Sequence, residues 1–84
     1  MTAYPEVIPM LDVNVVYPGR VRHYSVALSG LDGWEVTVEE NRRVQWREVL
    51  EDWHRVERTL DRVRREVEDL LDDGWTLQTA RGLM

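Results

Sequence analysis

The side chains suited to acid–base or metal chemistry are few: His23, His54, Ser25 and Ser29 are the only histidines and serines in the chain. His23 and Ser25 fall on one face of a predicted strand. A hydrolytic triad, however, needs nucleophile, base and orienting acid to converge in a pocket, and residues two apart on a strand merely sit side by side. Neither serine stands in a Gly-x-Ser-x-Gly elbow. His54 and Glu57 lie one turn apart on a predicted helix. Such a pair ligates a metal only when other helices bring further ligands, so here it reads as a solvated first turn. Asp69, Asp72 and Asp73 collect charge without the spacing of a calcium loop. The absence of cysteine removes disulfides, thiolate chemistry and Cys-ligated zinc. No Gly-rich loop joins a strand to a helix start, so a nucleotide has no phosphate cradle. The expectation is a protein that is not an enzyme, with no catalytic residue, no metal ligand and no cofactor.

The elements that would hold these groups are legible from hydrophobic spacing. Leu11, Val13 and Val15 alternate in a first strand. Tyr17-Pro18-Gly19-Arg20 is a turn, because Pro presets φ and Gly accepts a positive φ after it. A second strand puts Tyr24, Val26 and Leu28 on one face. The third puts Trp34, Val36 and Val38 on one face and Glu35, Thr37 and Glu39 on the other. Residues 44–50 read as a fourth strand with Val44, Trp46 and Leu50 inward and Glu48 awkwardly among them, since Arg42 and Arg43 would sit badly at a helix start. Trp53, Val56, Leu60, Val63, Val67 and Leu70 then repeat at intervals of three and four, the mark of an amphipathic helix. Asp52 is its predicted N-cap and Gly74 its left-handed terminator, with Trp75 folding back. The fold expected is α+β: an antiparallel β-meander of three to four strands packed against one long C-terminal amphipathic helix. Residues 1–9 read as an arm, 10–79 as a single domain and 80–84 as a frayed tail, with Trp75 to Thr79 as a short edge strand or a packed-back segment.

Charge is the most informative feature. The net value is −5, which opposes binding by phosphate neutralisation. Residues 1–41 carry two Arg against six acids, residues 42–65 eight Arg against five, and residues 66–73 five acids and no base. The helix is therefore basic first and acidic last, the reverse of what its dipole favours. One compensation is an antiparallel homodimer in which each basic half meets an acidic half. Its contact residues would be Trp53, Arg55, Arg58 and Arg62 against Glu66, Asp69 and Asp73, with Leu50, Leu71 and Val49 widening the apolar stripe.

The function expected is a protein–protein interaction or regulatory module, a homodimer open to a heterologous partner. A single-stranded nucleic-acid-binding module is the alternative, and a catalytic or metal site between subunits is third. Four strands followed by a helix is, in topology alone, similar to the half-unit of whirly-type single-strand DNA-binding proteins. Base stacking needs exposed aromatics along a basic groove, whereas Trp34 and Trp46 fall on the core alternation. Nothing in the sequence reads as a secretory signal or a membrane span, so a cytoplasmic location is expected.

Overall fold

The computed structural model describes residues 9–29 and 33–81. The predicted arm up to residue 8, residues 30–32 and the last three residues of the predicted tail lie outside the described residues. Five strands and one helix follow in order: β1 (Pro9–Tyr17), β2 (Arg20–Leu28), β3 (Trp34–Glu40), β4 (Arg43–Leu50), α1 (Trp53–Asp72) and β5 (Thr76–Arg81). The strands form one antiparallel sheet in the order β4-β3-β2-β1-β5. The α+β expectation holds, and of the two readings of the segment after the helix the edge strand is the one observed. The chain returns after the helix as a fifth strand on β1, and it runs to Arg81, two residues past the predicted end of the domain.

The turns follow local chemistry. Gly19 has φ +78° after Pro18, as a turn with Pro first and Gly second requires. The β3–β4 hairpin turns at Asn41 and Arg42, both at positive φ (52° and 69°). This tight turn matches strand twist, and Asn tolerates it better than Arg. Asn41 also stitches the two hairpins together, its amide oxygen accepting from the Val21 N–H at 2.9 Å and its own N–H donating to the Val21 carbonyl at 2.8 Å. Gly33 (φ +126°) is irreplaceable for another reason: a Cβ there would collide with the carbonyl oxygen of Leu50.

The helix begins and ends as its sequence dictates. The Asp52 carboxylate accepts from the His54 N–H at 3.0 Å. At the other end the Trp75 N–H donates to Leu70 O (3.0 Å) and the Gly74 N–H to Leu71 O (3.2 Å). Gly74, at φ +101°, makes this possible, and the pair is the Schellman pattern. Val56, Leu60, Val63 and Val67 are buried against Leu11, Val13, Val15, Tyr24, Val26, Val36 and Val38 of the sheet. Each such side chain contributes about 1.5–3 kcal/mol relative to exposure.

Two predicted orientations are corrected. Val44 faces away from the helix, because the register shifts between Val38 and Glu39 and leaves Gln45 as an extra residue in β4. Val49 also lies on the outer face, opposite Glu35, so it does not widen the helix stripe. Glu48 does face inward, and Arg55 explains why it is tolerated: the two pair at 3.2 Å.

Candidate interaction surfaces

The helix covers one face of the sheet obliquely. Along α1, Trp53 meets Trp34 of β3 (ring centroids 5.4 Å), Arg55 pairs with Glu48 of β4, and the Arg62 guanidinium lies 4.6 Å from the Trp46 ring centre in β4. Glu66 then accepts a hydrogen bond from the Tyr24 hydroxyl of β2, and beyond the helix Trp75 packs on Tyr17 of β1 at 5.4 Å. The basic half of α1 is thus bound to the β4 side of the sheet. The acidic half leads into β5, which starts at Thr76, four residues after the last helical residue Asp72. The charge polarity of the helix becomes a polarity of the whole sheet, edge to edge.

The oblique crossing leaves a corner of the covered face open between β4 and α1. A groove of about 440 Å³ there is walled by Trp46, Arg62, Tyr24 and Glu66. A smaller hollow of about 250 Å³ adjoins it, lined by Glu48, Arg55, Arg58 and Arg62. Arg22 reaches into the groove with Glu40 at 3.5 Å and Glu66 at 3.8 Å, yet its buried Nε makes no hydrogen bond. Its attraction to those carboxylates is coulombic. Burial, reinforced by the hydrogen bond to Glu66, pushes the Tyr24 phenol well above its ordinary value of 10.0. At the edge of the groove Arg20 holds Glu40 with two hydrogen bonds (2.9 and 3.0 Å), which keep the Glu40 carboxyl below its ordinary 4.5.

The opposite face of the sheet is uncovered by any described element. Its centre is a row across β1, β2 and β3 in which His23 Nε2 sits 2.6 Å from Asp12 and Nδ1 3.6 Å from Glu39. Asn14, Val21, His23, Glu39, Asn41 and Arg42 line a shallow hollow of about 570 Å³ beside it. Both imidazole nitrogens face a carboxylate, so the ring is clamped rather than offered. Sequence reasoning paired His23 with Ser25 and missed Asp12 and Glu39. The available signal was that all three residues occupy outward positions of consecutive predicted strands. Among the described residues no group of three or more His, Asp or Glu is arranged to hold a metal. His54 and Glu57 do approach, at 3.6 Å, on the exposed surface of the helix.

Comparison with protein-family models, with curated proteins and with solved structures finds no match. The reading of function therefore stands on geometry. Of the residues predicted for a helix-mediated contact, Arg55, Arg62 and Glu66 have partners on their own sheet. Trp53 is 43% exposed and stacked on Trp34. Arg58, Asp69 and Asp73 are exposed, and none of the three makes an ion pair with a described residue. Among the described residues the uncovered face carries no Trp or Tyr, because those described lie on helix-facing positions or on the helix and its flanks. No helix among the described residues is long and apolar enough to cross a membrane.

Sequence reasoning also missed β5 as a surface. All six of its residues are exposed on both sides of the strand, and Leu77 is 40% accessible. Its side-chain tie to the sheet is one hydrogen bond, from Asn14 Nδ2 to Thr79 Oγ1 at 2.9 Å.

Proposed function

We infer that the protein is a protein–protein interaction module that acts as a homodimer, with β5 of one copy paired antiparallel to β5 of the other. The observation carrying this reading is the exposure of every residue of Thr76–Arg81, on the helix side as well as the outer side. An edge strand in that condition presents a free row of main-chain donors and acceptors, which proteins usually keep short, charged or covered. Charge favours a second copy as the cover. In a two-fold pairing centred between Gln78 and Thr79, Arg81 lies opposite Thr76 of the second copy, three residues along the chain from that copy's Asp73 at the helix C-terminus. The contact repeats across the axis, as an isologous interface requires. Leu77 then lies opposite Ala80, both on the helix-facing side, which adds an apolar pair at each end.

The β4 edge is a poorer self-partner, since a two-fold pairing centred on Arg43 or on Arg47 sets that arginine against its own copy, and like charges opposed across strands repel. The engagement of Arg55, Arg62 and Glu66 with their own sheet favours a strand contact over a helix contact. Asp73 belongs to both versions.

Light scattering after size-exclusion chromatography tests this reading. The expected mass is near twice 10.0 kDa, falling toward the monomer at high salt as the paired charges are screened. Arg81→Glu should weaken association about tenfold, and adding Asp73→Arg should restore it. A monomer at every concentration would refute the dimer. Loss without rescue would refute this register.

A further inference from the structure

We propose that β4, with the basic row of α1 beside it, docks an extended acidic segment of a partner protein as an added strand. Within the sheet β4 pairs only with β3 among the described residues, so Arg43–Leu50 offers a second, outward row of main-chain N–H and C=O groups. Such a row fits a peptide backbone, which gains affinity from main-chain hydrogen bonds and specificity from alternate side chains.

The helix supplies the specificity. Arg58 and Arg62 are one turn apart, so they are separated by about 6 Å along the helix axis. Side chains on one face of an extended peptide repeat about every 6.7 Å. The two repeats are close in length, so an incoming strand with acidic residues at alternate positions can direct one toward each guanidinium group. Neither arginine is neutralised by a carboxylate among the described residues. Arg58 and Arg62 make no ion pair with a described residue, whereas the neighbouring Arg55 is held by Glu48 at 3.2 Å. Arg62 is instead steadied over the face of Trp46, which orients its donors without consuming them. The two hollows along this seam meet at Arg62 and leave room for the incoming side chains. Counting Arg22, Arg55, Arg58 and Arg62 against Glu48 and Glu66, the lining carries an excess of two positive charges.

Other occupants fit less well. A second copy of β4 paired about Arg43 or Arg47 brings arginine against arginine. A single-stranded nucleic acid also presents regular anions, but it has no main-chain donors for β4 and needs an open aromatic face to stack on, and the Trp46 face is taken by Arg62.

The test is an NMR titration of the full chain with a capped peptide of eight residues, the length of β4, alternating Glu and Val. Saturable binding is expected, with amide shifts concentrated in Arg43–Leu50 and an affinity that falls steeply with salt. Arg58→Glu should weaken it about tenfold. Arg58→Ala, which touches neither Trp46 nor Glu48, should weaken it by a smaller factor with the fold intact. A peptide of the same composition with its Glu residues in one block should bind more weakly, as should one alternating Arg and Val. No shift in the β4 amides at millimolar peptide would overturn the proposal. So would equal binding of the blocked peptide, tighter binding of oligothymidylate, or indifference to both Arg58 variants.

Discussion

The two edges of this sheet are built differently. β4 is anchored on its helix side: Leu50 is buried, Glu48 is paired with Arg55, and Trp46 lies under Arg62. Among the described residues β5 has no comparable anchor along its length, only its main-chain ladder to β1 and the bond between Asn14 and Thr79. An anchored edge flanked by spare arginines is a shaped receptor for something of opposite charge. A bare edge bordered by Asp72, Asp73 and its own Arg81 is self-complementary. The reversed charge order of the helix, unfavourable for its dipole, sets spare arginines beside β4 and an aspartate pair beside the start of β5.

The comparison breaks first where β5 is tied in. Trp75, 7% exposed and packed on Tyr17, sits immediately before the strand. Trp75→Ala should cost about 3–5 kcal/mol, as for other buried aromatics, and a thermal melt should show it together with loss of the dimer. An unchanged mass in a destabilised variant would mean that β5 is not the interface.

At the other edge Gly33→Ala should cost about 2–3 kcal/mol, because a positive φ and a collision with Leu50 are imposed together. In an 84-residue chain that is a Tm lower by roughly 10–20 °C. Hydrogen exchange should show protection lost first in β4. Uniform loss would mean that the edge is not separately anchored.

The smallest effect lies between the edges, where Tyr24 joins the sheet to Glu66. Its folded phenol is held above the ordinary 10.0, so above that pH the unfolded chain loses the proton first. The unfolded state then binds fewer protons, and stability falls as pH rises past 10. Tyr24→Phe should flatten that alkaline limb while leaving neutral stability within about 1 kcal/mol. Denaturant unfolding at pH 8 and pH 11 checks it, and an equally steep limb in the variant would remove Tyr24 as the cause.

Much of the fold was legible because it is local. Asp52, Gly74 and Trp75 act within one turn of the helix ends, and Pro18-Gly19 within its own turn. The alternation of Trp34, Val36 and Val38 needs only the pleat. What was not legible depends on register and on distant neighbours. Gln45 is an extra residue only because of how β4 pairs with β3, and that bulge turns Val44 outward. The place of β5 on β1 rather than on β4 decides which end of the helix meets which edge. Arg55, Arg62 and Glu66 read as a surface pattern in the sequence, and their partners Glu48, Trp46 and Tyr24 appear only once the helix crosses the sheet. Asp12, His23 and Glu39 come from three strands, so no short window contains them.

The most direct test of two unlike edges is a distance. The chain has no cysteine, so Thr79→Cys and Arg47→Cys each provide one site for a spin label. Pairing through β5 places nine strand intervals between the two β4 edges, about 40 Å at 4.8 Å each. Labels at position 79 should lie close enough to broaden the spectrum strongly, while labels at 47 should report roughly 40 Å. Close labels at 47 with distant ones at 79, or no interspin distance at either site, would contradict the account.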